Sequence, residues 1–119
     1  MAPWARAWLF EVKNSGNYAQ PYFWRVIATN GRELAKSETL TQKAHVVAMA
    51  NKLKAQPYLH RYETFRSNYG TQPLSFRVWD GSRIVIASSE TYHNEADAQK
   101  AATDIRDGAS SATIVDNAR

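Results

Sequence analysis

The chain repeats itself at an offset of 52 residues. Without gaps, Phe10–Gln56 aligns with Tyr62–Gly108. Glu11 falls on Glu63, Ser15 on Ser67, Gln20-Pro21 on Gln72-Pro73, Arg25-Val26 on Arg77-Val78 and Ala35 on Ala87. Ser37-Glu38-Thr39 then meets Ser89-Glu90-Thr91, Ala44 meets Ala96 and Ala50 meets Ala102. These are twelve identities between Phe10 and Ala55, where ordinary residue frequencies give about three. A unit of about 50 residues lies near the lower limit for burying a core alone, so two such units are expected to share one. The reading is a single domain over residues 1–119, made of two pseudo-symmetric units at about 8–60 and 61–116.

Composition narrows the function classes. Hydrophobic residues make up 44% and charged residues 22%, ordinary values for a soluble globular protein, and no stretch approaches the roughly 18 apolar residues of a membrane span. Glu11 interrupts the apolar N-terminal run before a signal-peptide core could finish, so the chain is expected to stay in the cytoplasm. With no cysteine, disulfides, thiolate catalysis and cysteine-ligated zinc are excluded. The net charge of +4 comes from basic residues scattered along the chain, a pattern that serves solubility and points only weakly to a polyanion.

Each unit reads the same way. Trp8, Phe10 and Val12 alternate with Leu9, Glu11 and Lys13, as a strand on a core does. A turn-rich loop over residues 14–21 leads to a second alternation, Tyr22, Trp24 and Val26 against Phe23, Arg25 and Ile27. Asn30-Gly31 is a hairpin signal, and Leu34–Glu38 reads as a third strand. Thr41 is the expected helix N-cap, followed by Val46, Met49, Ala50 and Leu53 on one helical face. The second unit gives Tyr62–Arg66, a loop over residues 67–73, Leu74–Trp79, the turn Asp80-Gly81, Ile84–Glu90 and the helical face Ala98, Ala101, Ala102 and Ile105. Gly108 is the expected C-cap glycine, and Ala112–Val115 a last strand. Tyr58–Arg66 has no glycine and is expected to run as one continuous strand, closing the first unit and opening the second.

The aromatic-Glu opening strand, the Asn-Gly or Asp-Gly hairpin, the Ser-Glu-Thr segment and the amphipathic helix resemble the small repeat of the YegP-like family of uncharacterised bacterial proteins. The resemblance covers nearly the whole chain. Two departures stand out: Leu40 replaces an aromatic that Tyr92 keeps, and Gln20-Pro21 and Gln72-Pro73 are not part of the pattern. What the resemblance implies is an α+β fold of two tandem β-β-β-α-β units, forming a single antiparallel sheet with exchanged C-terminal strands and two helices on one side. It implies no activity.

Catalytic signatures are absent from the sequence. His45, His60 and His93 lack ligand spacing, and there is no phosphate loop or nucleophile motif. A non-enzymatic protein with no cofactor and no metal is therefore expected. The twinned Glu11–Arg25 and Glu63–Arg77 fall on the sheet side away from the helices, where they can form cross-strand pairs. The Ser-Glu-Thr copies suit a strand-to-helix corner, bonding local backbone amides. The loop pairs Asn17-Tyr18 and Asn68-Tyr69 are further contact candidates.

One face departs from simple patterning. Strand parity sets Leu9, Phe23, Ile27, Phe65, Trp79 and Val85 beside Arg25, Arg77 and Lys13 on the side that the helices leave open. A solvated sheet face alternates to polar residues, so the expected binding face is Phe23, Arg25, Phe65, Arg77 and Trp79. Its occupant is an unknown protein partner or a second copy, with single-stranded or structured nucleic acid as the alternative. Tyrosines and the segment at residues 1–7 could instead fold over it. A membrane is not expected.

Overall fold

A computed structural model describes residues 7–66 and 73–119. Its elements are β1 (Leu9–Asn14), β2 (Tyr22–Ile27), β3 (Glu33–Lys36), α1 (Lys43–Ala55), β4 (Arg61–Arg66), β5 (Leu74–Asp80), β6 (Arg83–Ser88), α2 (Glu95–Gly108) and β7 (Thr113–Asp116). The seven strands form one sheet in the order β4-β5-β6-β3-β2-β1-β7. The fold is thus mixed α+β. No helix among the described residues is long and apolar enough to cross a membrane.

Period-two patterning puts every second strand residue against the helices. Phe10 and Val12, Trp24 and Val26, Phe76 and Val78 are fully buried, and they share one cluster with Val46, Ala50, Leu53, Ala102 and Ile105. Both helices therefore cover the same side of the sheet. Ser37 lies buried at the sheet's centre, where its hydroxyl accepts a hydrogen bond from the Trp24 amide at 3.0 Å and donates to the Glu38 carbonyl at 2.8 Å.

The sheet is not wholly antiparallel, as the resemblance implied. β7 runs parallel to β1, with Leu9 opposite Thr113 and Val12 opposite Asp116. A last strand that follows a helix crossing back over the sheet enters in the same direction as the first, and parallel pairing results. The exchange of strands runs one way, since β4 pairs only with β5 among the described strands. Nor is Tyr58–Arg66 one strand: Pro57–Leu59 forms a 3-10 turn and β4 begins at Arg61. Proline at the turn's start supplies a fixed φ and lacks the amide that a strand would need.

Three local readings are corrected as well. The boundary residue of α1 is Gln42 rather than Thr41, and it makes no side-chain cap bond. In α2 the equivalent residue, Asn94, does cap, accepting the Asp97 amide. Gly108 lies inside α2 with φ −88°, and a 3-10 turn at Ala109–Ser111 continues the chain in place of a left-handed C-cap.

Val85 is core, not outer face; it is 2% exposed. The cause is a bulge in the β5–β6 pairing: Val78 faces Ile86 but Trp79 faces Ile84, so Val85 between them turns to the core instead of sharing the face of Ala87. The two hairpins also differ. Gly31 and Gly81 both adopt positive φ, 85° and 60°, but the first hairpin closes with the Ala28 amide on the Arg32 carbonyl whereas the second pairs Asp80 directly with Arg83. The shorter second turn slips the next strand by one residue, so Val26 faces Ala35 while Val78 faces Ile86. Ser88, not Ser89, takes the place of Ser37, its hydroxyl accepting the Phe76 amide at 3.2 Å. The offset of 52 is restored by the bridges Tyr22–Leu40 and Leu74–Tyr92.

Candidate interaction face

Strand register assembles the outer face as rows across the sheet. One row runs Glu63, Arg77, Ala87, Lys36, Arg25, Glu11 and Val115, each opposite the next. The two glutamates flank a cationic centre, and the twinned pairs meet as their parity requires. Arg25 Nε donates to Glu11 Oε1 at 2.6 Å, and Arg77 Nε to Glu63 Oε1 at 2.6 Å. Arg25 also reaches Glu33 at 3.2 Å. The partly buried Glu11–Arg25 pair contributes about 0.2–1 kcal/mol.

Aromatic rings clamp one of these arginines. The Arg77 guanidinium carbon lies 4.1 Å from the Phe65 ring centre and 5.5 Å from that of Trp79. Trp79 Nε1 donates to Glu63 at 3.1 Å, and the Arg61 guanidinium carbon lies 4.8 Å from its ring centre. Cation–π contacts of this kind hold both partners in place at a modest energetic gain. Phe65, Trp79, Phe23, Arg25 and Arg77 are all half-buried, and none of the three rings enters the core cluster.

The five expected residues do not make one patch. Phe65, Arg77 and Trp79 form a cluster on β4 and β5, whereas Phe23 and Arg25 lie on β2, with β6 and β3 between. Lys36 bridges the gap, exposed and without an ion pair among the described residues. Sequence reading passed over Lys36, Arg61 and Glu33. The period-two rule that found Arg25 and Arg77 would have found Arg61 too, but Lys36 needed the β3–β6 register.

Electrostatics on this face are strongly compensated. For Glu11, burial acts to raise the pKa, but hydrogen bonds from Asn117 and Arg25, with the charge of Arg25, outweigh it and leave the carboxyl below its ordinary range. Glu63 is lowered by hydrogen bonds from Arg77 and Trp79. Both remain anionic at neutral pH and neutralise the arginines that an anionic ligand would use.

The other expected features fall elsewhere. Tyr22, Tyr62 and Tyr92 pack against the helix-side core and not on the outer face. Tyr18 is fully exposed, beside Asn17, whose side-chain Oδ1 accepts the Ala19 and Gln20 amides. Asn68-Tyr69, the rest of the loop over residues 67–72 and residues 1–6 lie outside the described residues. In the Ser-Glu-Thr copies, Glu90 binds Arg32 through two bonds of 2.7 Å and Ser89 donates to Glu33 at 2.6 Å, so these groups tie β6 to β3 and do not serve local amides. His45 is exposed on α1; His60 is buried, its Nδ1 2.8 Å from the Gln56 carbonyl. No cluster of three or more metal-binding side chains occurs among the described residues.

A family model described as a domain of unknown function, DUF1508, matches residues 76–116, from the middle of β5 to the end of β7. No curated protein matches the chain. The fold is similar to the solution structure of yegP from E. coli, a protein of unknown function, at TM-score 0.77 and 22% identity over 94% of both chains. It is also similar to UPF0339 protein SO3888 from Shewanella oneidensis, at TM-score 0.71 and 17% identity, covering 94% of this chain and 92% of that one. The resemblance to the YegP-like family read from the repeat is thereby borne out.

Proposed function

This chain is YegP-like in its fold, and on that premise we propose that it is a non-enzymatic cytoplasmic interaction module, built of two tandem units, whose outer sheet face binds a protein partner. The observation that carries the reading is the Phe65–Arg77–Trp79 stack. Two aromatic rings are fixed, half-exposed, around a guanidinium on a sheet face over which the described chain lays no second layer. Aromatic rings and arginine are the residue types that anchor protein interfaces, and side chains already held in place lose little further conformational entropy on binding. The two-unit reading is supported by the 2.6 Å Glu11–Arg25 and Glu63–Arg77 pairs, which recur at the repeat offset.

Nucleic acid is the weaker occupant on this geometry, because Glu11, Glu33 and Glu63 share the face with the arginines. The test is the triple variant Phe23→Thr, Phe65→Thr and Trp79→Thr, compared with the parent by sedimentation, by capture of partners from nuclease-treated host lysate and by oligonucleotide binding across a salt series. The expected result is an intact fold that loses a salt-insensitive protein association. Association unchanged in all three assays would overturn the proposal. Loss of a steeply salt-dependent oligonucleotide affinity would transfer the face to nucleic acid.

A further inference from the structure

The two ends of the sheet are finished differently. At one end β1 carries β7 on its outer edge, and the amides of Thr113 and Asn117 donate to the carbonyls of Trp8 and Val12, each at 2.9 Å. At the other end β4 is paired to β5 in the register of β1 to β2 moved by 52 residues: Leu9 opposite Ile27 becomes Arg61 opposite Trp79, and Asn14 opposite Tyr22 becomes Arg66 opposite Leu74. That register turns the carbonyls of His60 and Thr64 toward the outer edge of β4, where no strand of the described chain pairs.

The surplus seat has a simple origin. The 3-10 turn Pro57–Leu59 stands at the same offset from Ala109–Ser111, so the segment corresponding to β7 is the start of β4 itself. One strand fills two positions, and the position beside it is left over. The pairing of β4 with β5 shows no bulge and β4 contains no proline, two devices that commonly guard an open edge. Of its three charged residues, Arg61 and Glu63 are engaged by Trp79 and Arg77 on the outer face, and Arg66 is exposed at the strand's end.

The filled seat shows what the open one selects. In the filled seat Ile114 lies beside Phe10 and packs on the core, and Asp116 is held by Lys43 at 2.6 Å. At the open seat the counterparts of Phe10 and Lys43 are Tyr62 and Glu95. Glu95 opens α2 beside β4 and accepts a bond from Thr64 Oγ1 at 3.2 Å. The charge is reversed where the fourth residue of an added strand would arrive. We propose that the outer edge of β4 takes up an extended basic segment of another protein as a parallel eighth strand, with a β-branched apolar residue beside Tyr62 and a lysine or arginine against Glu95. Main-chain bonds supply the affinity in such strand addition and alternate side chains the selectivity. A second copy offering its own β7 brings Asp116 to Glu95 and is repelled.

The experiment uses the full chain and two synthetic peptides with the sequence of residues 110–118, one native and one with Asp116→Lys. Amide chemical shifts and hydrogen exchange report where each binds. The lysine peptide is expected to protect β4 amides, and to bind roughly two- to fivefold more tightly than the native one, the worth of one exposed ion pair. In the Glu95→Lys protein the preference should reverse, and in Glu95→Gln it should vanish. If neither peptide protects β4, if the native peptide binds as well as the lysine peptide, or if both Glu95 variants keep the parent's preference, the inference is overturned. A chain that dimerises through β4 would overturn it too.

Discussion

The indole of Trp8 lies against the α-carbon of Gly108: a Cβ built on that glycine would fall 2.5 Å from both Cε2 and Nε1 of the ring. Gly108 has ordinary helical φ, −88°, so the need for glycine is one of space. Two effects oppose each other on replacement. Alanine in a helix gains about 0.5–1 kcal/mol over glycine, while forcing a methyl group into a packed contact costs about 1–3 kcal/mol. Gly108→Ala is therefore expected to destabilise the protein, and the same change in a Trp8→Ala background to stabilise it. Urea unfolding of the four proteins measures this, and a stabilising Gly108→Ala in the parent would show that the ring yields freely.

Ser37 is buried, and its hydroxyl is the partner of the Trp24 amide inside the sheet. Removing it strands a buried donor, at about 1–3 kcal/mol. Ser37→Ala should lose stability in that range. Ser88→Ala, whose bond to the Phe76 amide is longer and less buried, should lose less. Denaturation midpoints decide, and equal losses would contradict the difference in burial.

Acid should weaken the fold through the outer-face glutamates. A carboxyl whose pKa is lowered by folding contributes stability that is fully present above its unfolded value and is lost as pH falls through the folded one. Glu11 is lowered from 4.5, so stability is expected to drop below about that pH. Glu11→Gln should be less stable than the parent at pH 7 and show a shallower decline under acid. Glu63, and Asp116 held by Lys43, keep part of the slope. Unfolding free energies between pH 7 and pH 3 would expose the error if both proteins declined alike.

Leu53 is fully buried near the end of α1. Leu53→Ala is expected to cost about 2–5 kcal/mol. A loss below about 0.5 kcal/mol, the scale of surface substitutions, would mean that α1 presents another face to the sheet.

Much of the candidate face was legible beforehand, because strand parity is a local property. Glu11 and Arg25 lie 14 residues apart in the chain and meet because each sits at a fixed phase of its own strand. The partners that parity missed are the ones brought by distant pairing. Asn117 reaches Glu11 at 2.6 Å only because β7 returns beside β1, and nothing near Glu11 announces it. The loop pair Asn68-Tyr69 lies outside the described residues.

The repeat, the amphipathic phase of both helices and the alternation of the strands were determined by the sequence alone. Each is set by which side chains water rejects at a period of 2 or 3.6 residues. Tertiary structure decided the rest. A hairpin shorter by one residue slipped β6 and put Ser88 where Ser89 had aligned, because a turn's length sets the register of everything paired after it, and a bulge against β5 turned Val85 to the core. The crossing direction of α2 made β7 parallel to β1, and the merging of the segment after α1 into β4 left that strand an open edge. Sheet order depends on which edges find a partner, a property of the assembled sheet that no single segment carries.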